Sequence, residues 1–242
     1  MLAMFISENA RISSDPHTSI FNSSNCQAPD FTNPNSKTQN SLERGSSLSV
    51  EDDFLTSLDK SFTCGFYGLG TNAYWLSVWF TYSKNKTFVW MANRDRTVNA
   101  LGSRVSLSRD GTMILTDVDG TIVWESSTNS TPTGAERAEL LNSGNLVLKD
   151  PQGKILWQSF IDTLLPNQPF TKSMKVTSSL GRGNFRTGYY SFYFDIDNVL
   201  RFIYDGPEMS SVYWPTPFNS VSQNGRINFN SMKWAILYPV MN

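Results

Sequence analysis

The chain is almost without histidine. Its one imidazole, His17, stands in a Ser-, Asn- and Thr-rich N-terminal stretch, so the part with folded character has none. That excludes Ser-His-Asp and Cys-His nucleophilic catalysis there, along with any histidine-based zinc site. Two cysteines, Cys26 and Cys64, are too few for a disulfide framework. Cys64 lies in the strand-like run Phe62–Phe66 and reads as a small buried residue, with a disulfide as the other reading. Net charge is −1, which offers nothing to nucleic acid or to an anionic membrane surface. No run reaches the roughly 18 apolar residues of a membrane span; the C-terminal Trp234–Met241 is far shorter. A secretory leader is not expected, because Ser7, Glu8 and Asn9 interrupt the apolar Met1–Ile6. The kinase landmarks His-Arg-Asp and Asp-Phe-Gly do not occur. No Gly-Lys-Ser/Thr follows the glycines of Gly65–Gly70, so that run is expected to turn between strands rather than hold phosphate. These absences lead to an expectation of no catalysis, no metal and no cofactor.

What the chain does have is one sentence written twice. Asp110–Ser126 reads DGTMILTDVDGTIVWES and Ser143–Ser159 reads SGNLVLKDPQGKILWQS. Gly111 and Gly144, Asp117 and Asp150, Gly120 and Gly153, and Trp124 and Trp157 each stand 33 residues apart. A fixed period of this kind dictates the fold. Within a copy, Met113, Leu115 and Ile122, Trp124 alternate at period two, as do Leu146, Leu148 and Ile155, Trp157; this is strand periodicity. The Asp-x-x-Gly between the two runs supplies turn hydrogen bonds and a positive φ, so each copy reads as a β-hairpin. A single hairpin is marginal in water. Repeated hairpins can bury one face against each other, and each copy ends in a large indole to fill that shared core.

A weaker third copy lies upstream, where Thr87-Phe88-Val89-Trp90 resembles Thr121-Ile122-Val123-Trp124 and follows the aromatic run Tyr74–Phe80. Three units ended by Trp90, Trp124 and Trp157 give an all-β domain with a pseudo-three-fold repeat. A β-trefoil, built from larger units, is the second choice of architecture. Short strands are also expected at Leu48–Val50, Lys60–Phe66 and Lys172–Val176. A further hairpin joins Tyr189–Phe194 to Val199–Tyr204 through the turn Asp195–Asn198. The first 42 residues, poor in apolar side chains and without periodicity, are expected to be disordered. Asp117-x-Asp119-Gly120 hints at a calcium loop, but the remaining ligands are missing and turn chemistry explains it better. Three glycosylation triplets occur, at Asn22, Asn85 and Asn129; the last two fall in expected surface loops.

Together, Val89–Asp95, the Asp/Ser-Gly-x-Leu/Met-Val/Ile-Leu-x-Asp repeat and Trp157-Gln158-Ser159-Phe160 followed by Asp162-Thr163-Leu164-Leu165-Pro166 resemble the bulb-type, mannose-binding-like lectin domain. More narrowly, Leu42 to Trp214 is similar to the extracellular part of plant S-domain receptor-like serine/threonine kinases. The resemblance implies a β-prism II of three four-stranded sheets with tryptophans at the centre. It divides the chain into a tail (1–42), a lectin domain (43–175) and a partial β-module like the S-locus glycoprotein region (187–242). Bulb lectins hold mannose through Q-x-D-x-N-x-V-x-Y. The first copy puts Ser108, Asp110, Thr112, Ile114 and Thr116 on those positions, keeping Asp110 and a Val-like Ile114. The second puts Leu141, Ser143, Asn145, Val147 and Lys149 there, keeping Asn145 and Val147. Each lost donor or acceptor costs a sugar site about 1 kcal/mol, so the motifs are degenerate. Turn and strand-end hydrogen bonding is the other reading of Asp110 and Asn145. The Leu-Pro motif is also shortened, with Ile161 alone before Asp162, and Thr97 stands where the family has Pro.

The resemblance implies a non-catalytic recognition module for a glycan or protein ligand, with a homodimer as one form of the latter. It implies an extracellular or plasma-membrane-associated setting, and the family's kinase domain and membrane span are not found in these 242 residues. The alternative is a truncated receptor-kinase gene product with little function of its own. An endo-acting glycosidase is the remaining reading.

Overall fold

The computed structural model describes residues 39–50, 53–69, 72–83, 86–99, 102–128, 133–165, 168–181, 184–196, 199–214 and 226–228. The chain divides into two compact units, with the break between Ser159 and Phe160.

The first unit is three antiparallel four-stranded sheets. One contains β3 (Phe54–Thr56), β4 (Phe62–Gly68), β5 (Tyr74–Phe80) and β6 (Phe88–Met91) in that order. A second contains β2 (Ser47–Ser49), β7 (Arg104–Leu107), β8 (Met113–Thr116) and β9 (Ile122–Glu125). The third contains β1 (Ser41–Glu43), β10 (Arg137–Leu140), β11 (Leu146–Lys149) and β12 (Ile155–Gln158). The short stretch from Ser41 to Thr56 thus gives an edge strand to each sheet in turn. This corrects the tail boundary of the sequence reading: Leu42, nominally its last residue, is 2% exposed and pairs with Ala138. Gln39 bridges to Leu55, and Asn40 accepts a hydrogen bond from the Leu140 N–H. An isolated apolar residue in a polar stretch gave no periodic signal, yet the edge of a sheet needs only one.

The sheets share a core because their alternation is in phase. Trp90 pairs with Val78, Trp124 with Leu115 and Trp157 with Leu148. Val78, Leu115 and Leu148 are completely buried. The three indoles meet edge to face, with ring centroids 5.5, 5.6 and 5.5 Å apart, the geometry favoured by the ring quadrupole. A β-bulge follows the indole's partner in every sheet, at Val78/Trp79, Leu115/Thr116 and Leu148/Lys149. In each, a polar side chain just past the tryptophan reaches back to the strand before it: Asn93 Oδ1, Ser126 Oγ and Ser159 Oγ accept from the N–H of Leu76, Met113 and Leu146 at 2.8, 2.9 and 3.0 Å. The pseudo-three-fold prism expected from the repeat is therefore the observed architecture, and the trefoil alternative falls. Gly120 and Gly153 close the two hairpins at φ 83° and 84°, a region open to glycine and costly for other residues.

One expectation fails here. Gly65 falls within the expected strand Lys60–Phe66, but β4 runs on to Gly68, the residue expected in the turn. A Cβ on Gly65 would stand 3.1 Å from the Cβ of Phe54, and one on Gly68 2.6 Å from the Tyr74 ring. These glycines mark close cross-strand approach to bulky neighbours.

In the second unit β13 (Pro169–Thr171) pairs with β18 (Arg226–Asn228). A meander joins β14 (Lys175–Gly181), β15 (Asn184–Phe194), β16 (Leu200–Asp205) and β17 (Ser210–Trp214). Phe170, Met174, Val176, Phe192, Phe194 and Leu200 form its core. The expected hairpin through Asp195–Asn198 is the β15–β16 pair. The module begins earlier than residue 187, because β14, assigned from sequence partly to the first domain, is the edge strand of this sheet.

Candidate carbohydrate-binding site

The candidate positions of the first copy run from the β7–β8 turn along β8. The turn is closed by the Ser108 N–H donating to the Thr112 carbonyl at 2.9 Å and by the Gly111 N–H donating to the Ser108 carbonyl at 3.0 Å. Asp110 is its pivot: Oδ1 accepts from the Ser108 hydroxyl and from the Thr112 N–H at 2.9 Å. The Ser108 hydrogen bond, then that from Thr112, holds the carboxyl below the usual carboxylate range. The side chain is otherwise exposed. Thr112 is 4% exposed; its buried hydroxyl makes no hydrogen bond of ordinary geometry, but it too helps to lower the Asp110 carboxyl. Ile114 is half-buried between cross-strand neighbours Ser106 and Glu125. Thr116 is half-buried, and its hydroxyl reaches the Arg104 carbonyl at 3.4 Å.

The second copy has the same turn and a different content. Leu141 N–H donates to the Asn145 carbonyl at 3.0 Å, and Gly144 N–H to the Leu141 carbonyl at 2.9 Å. Exposed Ser143 stands where the first copy has Asp110. The Asn145 amide is consumed inside the protein: Nδ2 donates to Gln158 Oε1 at 2.9 Å, and Oδ1 accepts from the Ser159 hydroxyl at 3.2 Å. Val147 is completely buried. Lys149 is tied to Glu139 at 2.7 Å, and Arg137 approaches the same carboxylate at 3.4 Å. The Lys149 hydrogen bond is the main reason that the Glu139 carboxyl titrates below its ordinary range.

Both copies thus give Asp110 and Asn145 strand-end hydrogen bonds; the first presents an exposed carboxylate at the turn and the second the exposed hydroxyl of Ser143. The difference in their bonds lies in residues the motif reading passed over. In the second copy Ser159 turns to Asn145. In the first, the equivalent Ser126 lies 3.0 Å from the Thr128 hydroxyl, which itself donates to the Gly111 carbonyl at 3.0 Å. Ser126 and Ser159 close the repeated sentence, so the 33-residue period marks them; Gln158 and Thr128 have no such signal. In the remaining sheet the register places Trp75, Ser77 and Trp79 on the corresponding outward positions. Ser77 and Trp79 are buried, and Trp75 is half-buried with Nε1 3.4 Å from the Arg94 carbonyl.

Asp117 serves the turn rather than a cation. Its carboxylate accepts from the Asn99 N–H at 3.0 Å, the Ser103 hydroxyl at 2.9 Å and the Val118 N–H at 2.8 Å. Burial pushes its pKa up, but the bonds from Asn99, Val118 and Ser103 outweigh burial and bring it down to about 2. Among the described residues, no His, Cys, Asp and Glu cluster has the makings of a metal site, and no helix is long and apolar enough to cross a membrane. Cys64 is a free, buried thiol whose pKa burial pushes up to about 12. Asn85 and Asn129, the sequon residues, lie outside the described residues, as does Asn22.

Three four-stranded sheets meet at the indoles of Trp90, Trp124 and Trp157, and within this chain residues 87–182 match the family model for D-mannose binding lectin. Over a longer span the chain is similar to plant receptor kinases and S-locus glycoproteins. A putative receptor protein kinase, ZmPK1, of Zea mays is 44% identical over 210 residues, which cover 81% of this chain and 25% of that one. The S-locus-specific glycoprotein BS29-1 of Brassica oleracea var. alboglabra is 28% identical over 173 residues, 64% of this chain and 38% of that one. The chain therefore spans about a quarter of the length of the first of these relatives. A monomeric monocot mannose-binding lectin from Gastrodia elata aligns with 50% of this chain and 96% of its own at 18% identity and a TM-score of 0.39; the architecture described above rests on strand pairing alone.

Proposed function

We propose that the chain is a non-catalytic recognition module, and that its glycan-binding capacity resides in the β7–β8 copy. The exposed Asp110 carboxylate, which the second copy replaces with Ser143, is the observation that carries this reading. Its Oδ1 takes the turn's hydrogen bonds, and half-buried Ile114 follows on the same side of β8. An acceptor beside an apolar contact fits a neutral hexose, which presents hydroxyls beside ring C–H groups. The Thr112 hydroxyl is buried out of a ligand's reach and acts through Asp110, whose carboxyl it helps hold ionised. The β11 copy is spent on internal bonds and binds no sugar. The similarity to receptor kinases and S-locus glycoproteins supports an extracellular or membrane-associated setting for this recognition.

The test is calorimetric titration with mannose oligosaccharides, backed by a glycan array. Asp110→Ala is expected to abolish binding, and Asn145→Ala to leave the affinity unchanged. Equal loss in both variants would overturn the assignment to one copy. A silent array, with self-association that Ile114→Lys abolishes, would make the same face a protein-binding surface and refute the glycan reading.

A further inference from the structure

The outward faces of the two repeated sheets can be compared position by position, because their registers match. In the second copy one cross-strand row holds Ser41, Glu139, Val147 and Gln158, and the next holds Glu43, Arg137, Lys149 and Ile155. In the first copy the same rows hold Ser47, Ser106, Ile114 and Glu125, then Ser49, Arg104, Thr116 and Ile122. The arginine is kept, 33 residues apart, and its charged surroundings are exchanged for hydroxyls. Arg137 and Lys149 both approach Glu139, at 3.4 and 2.7 Å. Around Arg104, Ser106 replaces Glu139, Ser49 replaces Glu43 and Thr116 replaces Lys149. Asp53, beside Ser49, accepts from the Ser49 N–H and hydroxyl at 2.9 and 2.8 Å. Arg104 itself is exposed, and its guanidinium is in none of the ion pairs among the described residues.

A guanidinium bordered by hydroxyls and left without an internal acid suits a carboxylate, whose two oxygens match its planar fork. Its place on the face is defined. Thr116, the cross-strand partner of Arg104, follows Ile114 by two residues, about 7 Å along the strand, on the side away from the Asp110 turn. The acids of this face stand elsewhere: Asp110 at the turn and Glu125 across from Ile114. Resting on the glycan reading of the β7–β8 copy, we propose that its ligand is an acidic oligosaccharide. A neutral hexose lies over Asp110 and Ile114, and the next sugar is a hexuronate whose carboxylate is bound by Arg104. Asp110 and Glu125 accept from hydroxyls of the first sugar and repel the carboxylate of the second, which fixes the direction of the sugar chain along β8. The equivalent Arg137 already has Glu139 and takes no anion.

The probes are a glucuronosyl-mannose disaccharide, its methyl ester and mannobiose, each titrated calorimetrically into the full chain. The ester keeps the sugar and removes the charge. The acid is expected to bind about tenfold more tightly than the ester, the worth of one charge-assisted pair, and added salt should shrink that advantage. Arg104→Gln should bring acid and ester to one affinity and leave mannobiose unchanged. Arg137→Gln should leave all three unchanged. Thermal melts matching the parent show that the variants are folded. Should Arg104→Gln fail to fold, Ser106→Glu gives Arg104 the acid that the second copy has and should remove the same advantage. If mannobiose binds but the acid binds no better than the ester, or its advantage survives both variants, this inference falls while the hexose reading stands. An advantage lost equally in Arg137→Gln belongs to overall charge and overturns it too. If none of the three sugars binds, both readings fall.

Discussion

The β7–β9 and β10–β12 hairpins are the same sentence folded the same way, yet they put their polar groups to opposite uses. Both close the turn with a glycine and an aspartate, both bulge after the core leucine, and both send a terminal serine back to the preceding strand. The difference lies in two positions. At the strand start, Thr112 is too short to reach across, and its hydroxyl acts only on Asp110 beside it. Asn145 is longer and spans to both Gln158 and Ser159. At the strand end, Thr116 is neutral, whereas Lys149 is locked to Glu139. Repetition thus fixes the scaffold through backbone and core, and leaves outward polar side chains free to differ in their bonds.

The equivalence of the copies can be broken most strongly at the axis. Trp90 is 3% exposed, whereas Trp124 and Trp157 are half-buried. Trp90→Ala is expected to cost about 4 kcal/mol, as large aromatic truncations in cores do, and Trp124→Ala and Trp157→Ala less. Urea unfolding of the three variants gives the order. Equal losses would show that the three-fold symmetry is energetic as well as geometric.

The next largest difference is a pH effect at Asp117 of the first copy. Asp117 is bound by Asn99, Ser103 and Val118; its counterpart Asp150 accepts only from its own turn, from the N–H groups of Gln152 and Lys154. A folded pKa of about 2 against an ordinary 3.8 is a depressed carboxylate. Its stabilisation is present above the unfolded value and is lost as pH falls through the folded one. The loss amounts to about 2 kcal/mol. Stability measured between pH 5 and 2 should fall by that much more in the parent than in Asp117→Asn. Identical pH profiles would show that these bonds do not favour the ionised form.

Most of the scaffold was legible because a 33-residue period and a two-residue alternation are both written in apolar side chains, which respond to burial whatever surrounds them. The tryptophan triad, the hairpins and their turns follow from that pattern. Less legible were features set by a single contact. Leu42 joins a sheet with no periodic neighbours, Gly65 and Gly68 sit in a strand because Phe54 and Tyr74 press on it, and β14 pairs forward with β15 rather than back. The site was half legible. Asp110, Thr112, Ile114, Asn145 and Val147 could be placed on the motif, but whether a polar group there faces a ligand or a neighbour depends on Gln158 and Thr128, which belong to no motif.

The smallest difference is also the most informative about use. Asn145→Ala removes two internal hydrogen bonds and should cost about 1–2 kcal/mol. Thr112→Val removes a hydroxyl with no hydrogen bond of ordinary geometry and keeps the branched shape, so stability should be nearly unchanged. The hydroxyl acts on the exposed Asp110 carboxylate, so its loss is expected to register on that carboxylate's contacts rather than on folding. Pairing the two melts with mannose titration therefore separates strut from contact. In the first copy stability holds while affinity falls; in the second stability falls while affinity holds. If Thr112→Val instead destabilises the protein, its hydroxyl is an internal strut after all, and the two copies differ in length of side chain but not in role.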